Sequence, residues 1–163
     1  MAFAPPPDRD QPPLFEVRSS SIHGRGAFAV RRIEKGTRIA EYAGERLTAE
    51  EVERRYAGET DTGHTFLFHV GDDVYVDATH QGNDARFINH SCAPNCESEV
   101  EDDRVYISAL EDIDPGVELT YDYALEPEDD PPSSWTTLYA CRCGAPRCRG
   151  TLIEPGSEPQ PLV

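Results

Sequence analysis

Three of the chain's five cysteines crowd into one run, CRCGAPRCRG, as Cys141-x-Cys143-x4-Cys148; the other two are Cys92 and Cys96. Spacing this dense suits thiolates converging on one zinc ion, with Gly144 and Pro146 turning the chain between them. Three sulfurs leave a tetrahedral shell one ligand short. Cys92 or Cys96, roughly fifty residues earlier, could complete it. The odd cysteine count, with no apolar export segment in view, argues against a disulfide framework. Unrelated reduced thiols are one alternative. Redox-active thiols are another, weakened because the chain contains no Cys-x-x-Cys.

A length of 163 residues suggests one domain. Lysine plus arginine number 15 against 31 acidic residues, a formal charge of −16. Such a surface is unsuited to gripping a phosphate backbone and favours cationic partners or plain solubility. Hydrophobic residues make up 37%, enough for one small core. No apolar run approaches the ~18 residues of a membrane span. The N-terminal stretch MAFAPPPDRDQPP has no signal-peptide core.

Residues 1–13 read as a disordered, Pro-rich leader. From Leu14 the pattern becomes short strands broken by turns: 14–17, 27–30 and 38–44, with Lys35-Gly36 turning between the last two. TAEEVERRY (48–56) reads as a helix, Thr48 and Glu51 forming a capping box. HTFLFHV (64–70) and DVYVDA (73–78) suggest a hairpin across Gly71-Asp72. Residues 97–100 and 104–110 suggest another, across Glu101–Asp103. VELTYDY (117–123) reads as a final strand after Pro115-Gly116. An acidic, Pro-rich loop (126–134) precedes the cysteines, and the tail 154–163 is expected to fray. The sum is a mostly-β fold with short helices.

Three constellations could carry chemistry. In Ser21-Ile22-His23-Gly24-Arg25-Gly26, two glycines around an arginine permit close backbone approach to a ligand, although a plain β-turn is the commoner meaning. Arg86-Phe87-Ile88-Asn89-His90-Ser91-Cys92 packs donors and acceptors into one segment; a polar turn with a satisfied histidine is the competing account. In Glu118-Leu119-Thr120-Tyr121-Asp122-Tyr123, strand alternation puts both tyrosines on one face, framing a slot or filling the core.

The order HGRGAFA, EYAGE, VDAT, RFINHSCAPNC, ELTYDY and CRCGAPRCRG resembles a SET-domain protein lysine methyltransferase with its post-SET zinc motif, over residues 14–153. The resemblance implies a SET domain (14–125, a β-clip of small sheets with a knot-like C-terminal substructure), the acidic loop (126–134) and a post-SET zinc motif (135–153). It implies S-adenosylmethionine as co-substrate, bound by His23, Gly24, Arg25, Gly26, Asn89 and His90. Arg25 would meet its carboxylate, and Asn89 and His90 its amino group and adenine, with Arg142 and Leu152 covering the adenine. Cys92, Cys141, Cys143 and Cys148 would hold one structural zinc, leaving Cys96 as a free thiol. Tyr123 would be the catalytic tyrosine, and Tyr121 would sit at the position that limits methylation to one or two methyl groups. Phe66, grouped with the cofactor-site residues, stands where many relatives carry tyrosine, which removes one hydroxyl from the lysine channel. The acidic insert and the absence of cysteines before residue 14 are further departures.

The chemistry makes limited demands on such a site. The nucleophile must be a neutral lysine, whose free pKa is ~10.4. An apolar channel and a nearby sulfonium both lower it, so no strong general base is needed. Alignment at about 3–3.5 Å supplies most of the remaining gain. The acidic surface suits a basic protein with an extended lysine-bearing tail, such as a histone or histone-like protein, taken up as an added strand. Neither direct nucleic-acid binding nor membrane association is expected. The compartment would be cytoplasmic in a bacterium, or nuclear if the protein is eukaryotic or delivered to a host. Two alternatives stand beside the enzyme: a non-catalytic zinc-stabilised SET module that binds basic tails, and an enzyme that needs an activating partner.

Overall fold

The computed structural model describes residues 10, 12–22, 24–56, 67–71, 73–123 and 140–151. Most of the expected leader, the acidic loop 126–134 and the tail 154–163 lie outside them, as do His23, Phe66 and Leu152. The fold is mostly β, as expected, and the described residues form four small sheets.

Strands β1 (Phe15–Ser19) and β2 (Arg25–Ala29) form an antiparallel pair. β3 (Arg38–Glu41) pairs with β9 (Arg104–Ala109), which also carries β8 (Cys96–Glu101) on its other side. Asp102 and Asp103 make the β8–β9 turn with φ of 50° and 59°, a left-handed pair that the short acidic side chain tolerates. β4 (Glu45–Leu47) and β5 (Leu67–Gly71) flank β6 (Val74–Asp77). Both expected hairpins therefore form. The expected strand 38–44 instead divides. β3 ends at Glu41 and the chain crosses to another sheet at Gly44. There a Cβ would lie 2.5 Å from the Asp77 carbonyl oxygen, an approach only glycine permits.

The single α-helix among the described residues, α1 (Ala49–Tyr56), begins as the sequence predicts. Glu51 N–H donates to Thr48 Oγ1 (3.2 Å), and Thr48 N–H donates to the Glu51 carboxylate (2.8 Å). Its last turn docks on β4 and β6. Arg55 spans Glu45 (2.8 Å) and Asp77 (3.4 Å), and the Tyr56 hydroxyl donates to Asp77.

The expected strand 117–123 is also divided, because the segment changes partners. Residues 117–119 bond to β2, with Ala29 N–H donating to Val117 C=O and Leu119 N–H to Ala27 C=O. Only β10 (Thr120–Tyr121) then continues, parallel to β7 (Asn89–His90). Asn95 makes the transition possible. Its amide donates to Glu118 C=O (2.8 Å) and accepts from Thr120 N–H (2.9 Å), standing in for a ladder partner. Ile33, Ile88, Val105, Ile107, Ile113 and Leu119 fill the core beneath these joins, each almost wholly enclosed.

Candidate functional site

The β7–β10 pair brings two of the three constellations together. Parallel pairing of such distant segments sets His90 beside Tyr121, and Ser91 N–H donates to Tyr121 C=O. The rings of Tyr121 and Tyr123 lie 4.8 Å apart, on one side as alternation predicts. Asp122 points elsewhere, to a two-pronged ion pair with Arg149 (2.7 and 3.0 Å).

The tyrosine pair extends into an aromatic enclosure. Phe68 of β5 stacks 6.5 Å from Tyr121, and Tyr42 lies 5.6 Å from Phe68. Tyr42 and Tyr121 are buried. Burial pushes both phenols far above their ordinary range, as do Tyr123, beside each, and Asp77 near Tyr42. The side chains that meet here are aromatic and, at Tyr42 and Tyr121, buried, surroundings that disfavour an ammonium group. Tyr42 and Phe68 escape sequence reasoning, since each sits in an ordinary-looking strand segment and only the sheet topology brings them here.

Tyr123 is half-buried, and its hydroxyl donates to the Ile88 carbonyl at 2.6 Å. The phenol's only proton is thus committed, and its oxygen can act only as an acceptor. His90 fixes the backbone beneath it. Tyr123 N–H donates to His90 Nδ1 (3.0 Å). Burial, outweighing the attraction of Asp122, lowers the imidazole pKa to about 4, so the ring is neutral at neutral pH. Its proton then resides on Nε2, which lies 3.3 Å from Cys92 Sγ and donates to it. Both ring nitrogens are engaged within the protein.

That sulfur belongs to the cysteine cluster. One ligand atom from each of Cys92, Cys141, Cys143 and Cys148 lies within 4.8 Å of the others. Cys92 Sγ is 3.6 Å from Cys141 Sγ and 3.9 Å from Cys148 Sγ. A tetrahedral zinc–thiolate shell with bonds of ~2.3 Å needs sulfurs about 3.8 Å apart, so the four fit the ion. Desolvation would raise the Cys143 thiol. Hydrogen bonds from the Cys92 and Ala145 backbone and from the Cys141 and Cys148 thiols outweigh it and lower its pKa to about 6. Backbone N–H groups of Arg149 and Gly150 donate to Cys92 and Cys148 sulfurs, both at 3.4 Å, the surroundings a metal thiolate requires. Cys96 is separate, enclosed in the core, where burial pushes its thiol up to about 12. The sequence left Cys92 and Cys96 both open as fourth ligand; of the two, it is Cys92 whose sulfur lies with those of Cys141, Cys143 and Cys148.

The glycine-arginine turn meets the same region from β2. Arg25 C=O accepts from the Asn89 side-chain amide (3.0 Å), and the Arg25 guanidinium lies over the Phe87 ring at 5.4 Å. Gly24 and Arg25 are exposed and Gly26 is buried. Arg142 is exposed between two of the cysteines. His23, Phe66 and Leu152 lie outside the described residues. Arg149 was missed from sequence. Its bond to Asp122 and its amide on Cys92 tie the cysteine run to the tyrosine-bearing segment, and no local pattern announces a pairing across 27 residues.

The SET-domain family model matches residues 24–124. The H3 lysine-4 specific histone-lysine N-methyltransferase of Schizosaccharomyces pombe is 46% identical over 140 residues, covering 82% of this chain and 14% of that protein. The histone-lysine N-methyltransferase trithorax of Drosophila melanogaster is 43% identical over 142 residues, covering 83% of this chain and 4% of its own length. The histone-lysine N-methyltransferase set1 of Dictyostelium discoideum is 41% identical over 140 residues, with 82% and 9% covered. The chain thus spans a small fraction of the length of these relatives.

Proposed function

The chain belongs to the SET-domain family, and from that membership we propose that it is an S-adenosylmethionine-dependent protein-lysine N-methyltransferase acting on a histone or histone-like basic protein. The observation that carries this is the Tyr123 hydroxyl, held by Ile88 C=O as a pure acceptor beside the aromatic cluster of Tyr121, Phe68 and Tyr42. S-adenosylmethionine supplies an activated methyl group on a sulfonium.

The chain's own residues do the rest. Gly24, Arg25 and Gly26, with Asn89, His90 and Arg142, hold the methyl donor; the family resemblance assigns His23 and Leu152, which lie outside the described residues, to the same task. Tyr42, Phe68 and Tyr121 exclude water from the lysine side chain and disfavour its protonated form. Tyr123 offers its oxygen lone pairs to polarised C–H groups at the reacting centre and orients them. The reaction needs no strong base, because the apolar channel and the sulfonium lower the lysine pKa and its proton leaves to solvent. Cys92, Cys141, Cys143 and Cys148 would hold one zinc ion, and a shell of four thiolates would make its role structural. The formal charge of −16 draws in a basic tail. With Tyr121 narrowing the slot, the products are mono- and some dimethyl-lysine.

Incubation of the purified protein with labelled S-adenosylmethionine and core histones tests the reading beside Tyr123→Phe. Label on lysine that falls by at least about 100-fold in the variant supports it, in line with a role in transition-state alignment. No label, with no binding of S-adenosylmethionine, overturns it in favour of a non-catalytic module.

A further inference from the structure

Glu118 opens the ELTYDY segment, and the roles assigned above leave its side chain without a task. We propose that Glu118 is a positioning residue for the methyl donor: with the Arg25 carbonyl it fixes the orientation of the Asn89 side-chain amide, so that Oδ1 is what the amide offers to the donor's primary ammonium group. This rests on the methyltransferase reading and deepens it.

Asn89 Nδ2 donates at 3.0 Å to the Arg25 carbonyl oxygen and at 3.0 Å to Glu118 Oε1. Neither a carbonyl nor a carboxylate can donate in return. Rotating the amide by half a turn would set its oxygen against two other oxygens. The nitrogen is therefore fixed by chemistry, and the amide's accepting oxygen is directed away from both partners. A carboxylate bonded behind an amide also polarises it, concentrating negative charge on Oδ1 and improving its fit to a cation.

Glu118 is itself held in place. The Ser20 hydroxyl donates to the same Oε1 at 2.7 Å, and Ser20 Oγ accepts from Ile22 N–H at 3.0 Å. Behind it, the Glu118 carbonyl accepts from Asn95. Space is reserved for the carboxylate: a Cβ at Gly26 would lie 2.1 Å from Oε1 and 3.0 Å from Ser20 Cβ. The second glycine of Gly24-Arg25-Gly26 thus admits a side chain of the protein itself. Three distant segments, 20–26, Asn89 and Glu118, meet at one oxygen atom.

The test is calorimetric binding of S-adenosylhomocysteine and of its desamino analogue to the zinc-loaded protein and to Glu118→Ala, Glu118→Gln and Gly26→Ala. Glu118→Ala should weaken S-adenosylhomocysteine roughly tenfold, the scale of one charge-assisted contact, and leave the desamino analogue within about twofold. Glu118→Gln keeps the size and one accepting oxygen, so its loss should be smaller, about threefold, with the same selectivity. Gly26→Ala should push the carboxylate aside and reproduce Glu118→Ala, and the double variant should be no worse than either single one. Equal weakening of both ligands, or no change for S-adenosylhomocysteine, overturns the positioning role and leaves the methyltransferase reading standing. Failure of the unsubstituted protein to bind S-adenosylhomocysteine overturns both. Should Glu118→Ala not fold, the ligand selectivity of Glu118→Gln decides.

Discussion

Two tyrosines one residue apart are given opposite environments. Tyr121 is buried against Tyr123, Phe68 and the parallel strand pair, while Tyr123 is only partly buried and keeps its accepting oxygen. Burial holds the Tyr121 phenol well above its ordinary range, so it is a neutral hydroxyl at any working pH. Removing that hydroxyl should widen the slot without altering its charge. Tyr121→Phe is therefore expected to shift products toward di- and trimethyl-lysine, read by mass spectrometry of the modified histone. Identical product distributions for the two proteins would remove Tyr121 from that role. The sequence singled out the strings that hold both tyrosines and Asn89, although the roles of those residues came from the family resemblance, and it left Cys92 and Cys96 both open. It could not point to Tyr42, Phe68 or Arg149, whose neighbours in the chain give no hint of what they meet in space.

Among the elements, α1 depends most on a single enclosed carboxylate. Asp77 has no exposed surface; it accepts from Thr79 N–H (2.9 Å), Arg55 (3.4 Å) and the Tyr56 hydroxyl. Burial alone would raise its pKa, but the bonds from Tyr56, Thr79 and Arg55 outweigh it and leave it below the ordinary value. A carboxylate whose folded pKa is depressed stabilises fully above its unfolded value of ~3.9 and stops doing so as pH falls through the folded one. Asp77→Asn should lower stability by roughly 2–3 kcal/mol at pH 7, and the gap should close below about pH 4. Denaturant titrations at several pH values read this, and a gap undiminished at pH 2 would show that the charge is not what anchors the helix. The helix itself and both hairpins were legible in the sequence, because a capping box and short turns act over a few residues. The 38–44 and 117–123 strands were legible only as extended chain. What divides them is a backbone crossing at Gly44 and a substitute ladder made by Asn95, neither of which leaves a periodic trace.

For the whole molecule, the cysteine cluster joins the body of the domain to residues 140–151. Cys92 lies in the segment after β7, and His90 links its sulfur to the Tyr123 backbone. Stripping zinc with a strong chelator is expected to lower the melting temperature by about 10 °C, on the order of 3–5 kcal/mol for a domain this size, and to abolish S-adenosylhomocysteine binding in the same titration. Retained binding in the metal-free protein would uncouple the two. The acidic surface predicts a salt effect: the KM for a basic protein should rise several-fold between 50 and 300 mM salt while kcat changes little. A flat KM would place substrate recognition elsewhere. The division into four sheets of two or three strands has one more consequence, for how such a sequence can drift. Among the described residues the sheets are narrow, and polar joints at Asn89, Asn95, Asp77 and Arg149 tie them together. Aliphatic positions such as Ile107 and Ile113 can exchange for neighbours of similar volume at modest cost. An asparagine that donates and accepts at fixed angles has no such substitute. Over many generations this chain should therefore wander through its oily interior and stand still at its amides, the reverse of the usual expectation for a hydrophobic core and a polar periphery.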